Sequence, residues 1–370
     1  MQVFHLSHTD LDGYGAQFIA KEFFSDITFY NANYGKEVIV RLNTILDSIA
    51  NLPIEDPKSL LNAKFGKAPK AVPIKYLILI TDLNLTLHEA NYLQKHIEEL
   101  KITGYDIDLL LLDHHISGQE CAQKYPWYHL DSTRCASKIT FETLTSHYTL
   151  LDKTRLEWLS HLSDMINSVD IWIEEGYKFD FGKVAMGAIS ASFELNRFMF
   201  EEEHRTYKFA IIESMREFIE LPCGEVAFDN ALYGIKKSIL GGNPQTQTMD
   251  NIISHAQVKL LSQKKQLCSI VYNDKKGFLS YSMGGISVLA NLFLRSNPEY
   301  DFYIDVNPRG NVSLRANGNC DVSMMSRELF GGGGHKNASG GKIEGFKESF
   351  AYIDIKMQIE YILNKHKEHA

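Results

Sequence analysis

Three times in the first 115 residues an apolar run stops on an acidic or imidazole side chain. Positions 1–8 alternate loosely, as a strand does, and DGYGAQFIAKEFF follows with Phe18, Ile19, Phe23 and Phe24 near helical spacing. IKYLILITD (74–82) is apolar almost throughout, the pattern of a strand buried on both faces, and TLHEANYLQKHIEEL after it reads as a helix. DIDLLLLDHH (106–115) repeats the strand pattern. Strands alternating with helices predict an α/β fold with a parallel sheet, and such sheets collect ligands beyond the carboxyl ends of their strands. His8, Asp10 and Asp12, then Asp82, then Asp113, His114 and His115 all stand at those ends.

The rest of the chain has a different grammar. IEDPKSLLNAKFGKAPKAVPIK (54–75) bears prolines and no period, and is expected as a surface insertion. Residues 135–149 and 153–170 read as helices. From 194 to 265 the pattern is mostly helical, broken at LPCGE and GGNPQTQ, and is expected to connect two domains, 1–193 and 266–370. A chain of 370 residues is long enough for two cores. LCSIVYN, GFLSYS, DFYIDVN and NVSLRAN predict short strands in the second domain, followed by DVSMMSRELFGGGGHKNASGGKI and a final helix at 347–368.

Composition narrows the function more than the fold. Lys and Arg number 38 against 46 Asp and Glu, a net charge of -8, which argues against coating long nucleic acid and leaves room for a short anion in a local basic pocket. Cys121, Cys135, Cys223, Cys268 and Cys320 are odd in number and contain no C-x-x-C pair, so free thiols in a reducing, cytoplasmic setting are expected. No leader-like segment opens the chain, and the longest apolar runs fall far short of a span, so no membrane partner is expected.

Carboxylates brought together without countercharge raise one another's pKa, and a cation relieves them. His8, Asp10, Asp12, Asp82 and His114 form a mixed imidazole and carboxylate set that suits manganese, zinc or iron better than calcium. Each piece alone has a plainer reading: an Asp helix cap in HTDLDG, a helix cap at Asp82, a satisfied pair at His114 and His115. Together, at three strand ends, they point to a dinuclear metal centre. Near the C-terminus Gly332, Gly333 and Gly334 precede His335 and Lys336, between an apolar-spaced helix (Val322, Met325, Leu329, Phe330) and a strand expected at 341–344. Bare amides beside two cationic side chains suggest a phosphate cradle, and Arg315 on VSLRAN suits a terminal phosphate. Tyr14 and Phe302 are candidates for stacking on a base. No P-loop follows a strand, which speaks against Walker-type triphosphate hydrolysis.

SHTDLDG, ITD, LLLDHH and NSVDIW, with GGGGHKNASG, resemble the DHH phosphoesterase family and its DHH-associated C-terminal domain, and the layout is most similar to the oligoribonucleases called nano-RNases. The likeness runs from residue 8 to 341. It implies a parallel-sheet catalytic domain with flanking helices, a smaller mixed-sheet substrate domain, a cleft between them and closure on substrate. It implies that His8, Asp10 and Asp82 hold one divalent ion and that Asp12, Asp82, His114 and Asp170 hold a second, with Asp82 bridging. Asp164, six residues earlier in the same helical region, is the alternative to Asp170. Asp113 would fix an imidazole, His115 would face the scissile phosphate, and Arg315 with the glycine run would bind substrate. The ions, Mn2+ first and Mg2+ or Co2+ after it, would activate water for in-line attack on nanoRNA and linear dinucleotides, giving mononucleotides. The alternatives are a pAp phosphatase or a cyclic (di)nucleotide phosphodiesterase; pyrophosphate hydrolysis and non-catalytic RNA binding are less favoured, and a homodimer is a further expectation.

Overall fold

The computed structural model describes residues 1–52 and 74–365. The expected insertion at 54–75 lies outside the described residues except for its last two, as does the end of the final helix expected at 347–368. The chain divides into two compact units, Met1–Ala191 with Ile211–Asn230, and Ser192–Ala210 with Ala231–Ala370. Residues 194–265, expected as a connector, are therefore shared between the two units.

The first unit carries strands β1 (Gln2–Ser7), β2 (Ile27–Asn31), β3 (Lys75–Thr81), β4 (Asp106–Asp113) and β5 (Tyr128–Leu130). They form one sheet in the order β2-β1-β3-β4-β5, with every pair parallel. Its longer helices are α1 (Leu11–Ala20), α2 (Lys36–Ala50), α3 (Leu87–Thr103), α4 (Ala136–His147), α5 (Leu156–Asp170) and α6 (Phe179–Ser190), and a short one covers Gln119–Lys124. Successive side chains of a strand point to opposite faces. Phe4, Leu6, Ile78, Ile80, Ile107 and Leu111 meet Val38, Leu42 and Ile45 of α2 and Leu93 and Ile97 of α3. On the other face Val3, Leu77 and Leu79 are buried, and α1 packs with α4, α5 and α6. Burial on both faces is why the strands read as unbroken apolar runs, each large side chain contributing about 1.5–3 kcal/mol.

In this order the chain steps outward from β1 to β2, then returns across β1 to place β3 on its other side. Crossovers leave to opposite faces at that reversal, which opens a crevice beyond the carboxyl ends of β1 and β3.

Between the sheets the chain runs through α7 (Glu201–Ser214), α8 (Gly224–Ile239) and α9 (Met249–Gln263), interrupted at the two predicted breaks. The second unit holds β6 (Ser269–Tyr272), β7 (Lys275–Tyr281), α10 (Ile286–Ser296), β8 (Phe302–Val306), β9 (Asn311–Ala316), α11 (Val322–Phe330), β10 (Gly333–His335), β11 (Ala338–Lys342) and α12 (Tyr352–Lys365). The sheet order is β10-β11-β9-β8-β7-β6, parallel only between β7 and β8. The fold is therefore α/β with a parallel and a mixed sheet, as the sequence predicts.

Two expectations are corrected here. Tyr14 and Phe302 are fully buried, Tyr14 inside α1 and Phe302 against Gly277, so neither can stack on a base. The glycine run is not a loop either. Gly331 ends α11 in the left-handed region, and Gly333–His335 is an edge strand paired with β11, which begins at Ala338 rather than 341.

Candidate metal centre

Each strand end presents its polar residues by a different local device. After β1, Asp10 caps α1, its Oδ1 accepting from the Gly13 amide at 3.0 Å, which leaves Oδ2 for His8. Asp82 follows β3 with a left-handed φ of 55°, unusual for a residue with a side chain and a mark of local strain. It does not cap the next helix, because Thr86 and Glu89 form a reciprocal capping box there. Asp113 ends β4, and His114 and His115 follow it directly.

These devices converge on the crevice. His8 Nδ1 lies 2.8 Å from Asp10 Oδ2 and 3.7 Å from Asp82 Oδ2. His114 Nε2 lies 3.4 Å from Asp82 Oδ1, 3.6 Å from Asp170 Oδ2 and 3.8 Å from Asp12 Oδ2. Asp82 thus faces both histidines, one from each oxygen. Asp170 is the last residue of α5, whereas Asp164 turns to Lys138 Nζ at 2.6 Å. Asp12 is immobilised at the N-terminus of α4, where its two oxygens accept from the Ala136 and Ser137 amides, each at 2.7 Å. Anions are favoured at that end of a helix.

The packed carboxylates perturb one another. Burial first, then the charge of Asp10, raises Asp12; burial, then Asp10 and Asp12, pushes Asp82 far above the carboxylate range. Burial and Asp12 raise Asp170 to about 8. Burial would lower His8, but its hydrogen bond to Asp10 and the charges of Asp10 and Asp82 outweigh it and carry the ring to about 9. In return Asp10, which burial would raise, falls to about 2. The Oδ2 atoms of Asp82 and Asp170 are buried without a hydrogen-bond partner. Orphaned carboxylate oxygens between imidazole nitrogens fit divalent cations, in the sets His8, Asp10, Asp82 and Asp12, Asp82, His114, Asp170.

A second layer holds His115. Its Nδ1 lies 2.7 Å from Asp113 Oδ1, and Asp113 Oδ2 accepts from the Tyr128 hydroxyl at 2.6 Å. A Cβ at Gly118 would occupy the place of that hydroxyl, so a glycine is required there. The far nitrogen of His115, Nε2, is 3.0 Å from the Tyr34 hydroxyl, and the Tyr34 ring rests on His8 at 4.7 Å between centroids. Tyr34, Tyr128, Ser137 and Cys135 are site residues for which no sequence motif was read.

No family model matches the chain. It is 54% identical over 364 residues, 98% of this chain and 99% of the other, to a protein of Helicobacter pylori named 3',5'-cyclic-nucleotide phosphodiesterase. A solved structure of an uncharacterised protein from Helicobacter pylori G27 shares 55% identity over 99% of both chains with a TM-score of 0.90. The chain belongs to the DHH phosphoesterase family. RecJ from Thermus thermophilus with Mn2+ aligns at 13% identity over 98% of this chain and 52% of that one, with a TM-score of 0.29, too low to bear on the site.

In this DHH phosphoesterase the residues expected to grip substrate all lie in the second unit. Arg315 donates to the Leu314 carbonyl at 2.8 Å and to Ser287 Oγ at 3.0 Å. Ala338 pairs with both Arg315 and His335, so these two side chains share one row of the sheet, about 10 Å apart across two strand spacings. Gly333, Gly334, His335 and Lys336 are exposed, while the Gly332 amide is taken by the Ser326 carbonyl at 3.1 Å and is not free for a phosphate. Among the described residues no helix is long and apolar enough to cross a membrane.

Proposed function

We propose that the chain is a metal-dependent phosphodiesterase of small nucleotides, with 3',5'-cyclic nucleotides as its first substrate class. The observation that carries this reading is the pair of orphaned oxygens on Asp82 and Asp170 among converging histidines and carboxylates. The name of the Helicobacter pylori relative supports the choice of substrate. His8, Asp10 and Asp82 would hold one divalent ion, and Asp12, Asp82, His114 and Asp170 a second, with manganese, zinc or iron suited to the mixed donor set. Two such ions supply positive charge to the phosphoryl oxygens and make water a competent nucleophile at neutral pH.

The protein's own part is to aim and to move a proton. Asp113, braced by Tyr128, fixes the His115 ring through Nδ1 and stabilises it when charged. Nε2 is then the atom from which a proton passes to the departing ribose oxygen.

Short linear oligonucleotides are the second reading, favoured by the Arg315 guanidinium in one row with His335 and with Lys336 beside it, which suits a terminal phosphate that a cyclic mononucleotide lacks. Rates measured side by side with Mn2+ on 3',5'-cyclic AMP, 3',5'-cyclic GMP, pAp, pApA, a five-residue RNA and cyclic di-AMP test both. The proposal expects the highest kcat/KM on a cyclic mononucleotide. A greater kcat/KM on pApA or the RNA replaces it with the second reading, and turnover that survives removal of all divalent metal sinks both.

A further inference from the structure

We propose that the Cys135 sulfur is a ligand of the second ion, beside Asp12, His114 and Asp170, which makes that site sulfur-containing. The inference rests on the two-ion reading above and goes beyond its ligand set. Cys135 occupies the N-cap position of α4 and is fully buried, yet its side chain makes no capping hydrogen bond. Asp12 takes the first amides of α4 instead, and the thiol lies beside the Asp12 carboxylate. The Cys135 amide donates to Asn167 Oδ1 at 2.8 Å. Asn167 precedes Asp170 by three residues on α5 and so shares its face, which ties the turn bearing the sulfur to the helix bearing the carboxylate.

The result is that Sγ of Cys135 and a carboxylate oxygen from each of Asp12 and Asp170 lie within 4.8 Å of one another. His114 Nε2 approaches the same two carboxylates at 3.8 and 3.6 Å. Asp170 Oδ2, free of any hydrogen bond, is the independent sign that this group awaits a ligand. Cys121, buried too, has ordinary employment by contrast: its thiol donates to the Leu85 carbonyl at 3.2 Å. Adding a sulfur to the imidazole of His114 and the carboxylates of Asp12, Asp82 and Asp170 favours zinc, cobalt or iron over magnesium, because thiolate is the softest ligand present. Forming the metal–sulfur bond releases the thiol proton to solvent, one proton per ion bound.

The test loads the full chain with Co2+ and reads sulfur-to-cobalt charge-transfer absorption in the near ultraviolet, with X-ray absorption on the Zn2+ form. The expected result is a charge-transfer band in the natural sequence and a sulfur scatterer at about 2.3 Å from zinc. Cys135→Ser should abolish the band and weaken zinc relative to magnesium by at least about tenfold, while Cys223→Ser, at an exposed thiol, should leave the band in place. Cobalt bound without a band, or a band that persists in Cys135→Ser, overturns the inference and leaves the two-ion reading standing. No binding of Co2+ or Zn2+ at all overturns the two-ion reading and this inference with it. If Cys135→Ser does not fold, the spectra of the natural sequence decide.

Discussion

Both sheets present chemistry-bearing residues at a margin, but at opposite ends of the burial scale. At the carboxyl edge of the first sheet Asp12 and Asp82 are 1% exposed and Asp113 is fully buried. At the outer hairpin of the second, Gly333, Gly334, His335 and Lys336 all face solvent. Buried charges must be paired or hydrogen-bonded in fixed positions, so the fold supplies helix amides, caps and strained turns to hold them. Exposed cations are paired with water at little cost and need no such frame. The first margin is therefore built for a bound cation and is uncomfortable without one, whereas the second is comfortable empty.

The largest test of that contrast is Asp82→Asn. It removes the carboxylate that faces both histidines, and kcat/KM should fall by more than about 10³-fold. It also removes a carboxyl that must take up a proton to be buried beside Asp10 and Asp12, so at neutral pH the metal-free protein should melt several degrees higher, a gain of about 1–3 kcal/mol. Calorimetry in chelator checks the second half; a lower melting temperature would mean that the cluster is not strained when empty. Arg315→Ala, at the other margin, should raise KM for the 5'-phosphorylated dinucleotide pApA about 10–100-fold with kcat nearly unchanged and no shift in melting, because its two hydrogen bonds to Leu314 and Ser287 are at a partly exposed site. A loss in kcat instead would make Arg315 part of the chemistry.

The same contrast governs what could be read from the sequence. The strand ends at His8, Asp82 and Asp113 were legible because apolar runs buried on both faces stop abruptly where the sheet ends. Asp170 was reached through its NSVDIW context, since a helix that carries both Asp164 and Asp170 does not say which one turns inward; the Lys138 ion pair accounts for Asp164. Cys135, Tyr34 and Tyr128 left no signal, because they join the site through long-range packing rather than spacing. Tyr34 follows β2, a five-residue strand with only its last two residues buried and too faint a pattern to predict. Consecutive glycines have no side chains to alternate, so an edge strand and a cradle look alike in sequence. Tyr14 and Phe302 show that an aromatic residue's type does not distinguish core from binding surface.

Proton competition sharpens the first margin. In the metal-free fold His8 keeps its proton up to about pH 9, whereas an unfolded histidine loses it near 6.5. That raised value stabilises the metal-free protein fully below about pH 6.5 and the contribution is lost as pH rises through about 9. An arriving ion must displace the same proton, so Mn2+ or Zn2+ affinity should rise as pH climbs toward about 9, by up to about tenfold per unit for each proton displaced. Asp170, raised to about 8, adds to the effect in the same direction. Calorimetric titration in two buffers of different ionisation enthalpy measures the protons released; none released, or an affinity flat with pH, contradicts the arrangement of His8 against Asp10 and Asp82.

The smallest expected effect concerns backbone rather than charge. Gly334 sits at φ +147°, and a Cβ there would stand 2.6 Å from the Ala338 carbonyl oxygen and 2.8 Å from the Ser339 Cα. Neither atom is the end of a flexible side chain, so Gly334→Ala must displace β10 from β11, at a local cost of about 1–3 kcal/mol. Because the hairpin is an edge, that cost stays local: hydrogen exchange should quicken across 333–342, KM should rise severalfold, and exchange in β3 and β4 should not change. If β3 and β4 also lose protection, the hairpin is coupled to the metal-bearing sheet, and the two margins are parts of one cooperative structure rather than two independent solutions to holding charge.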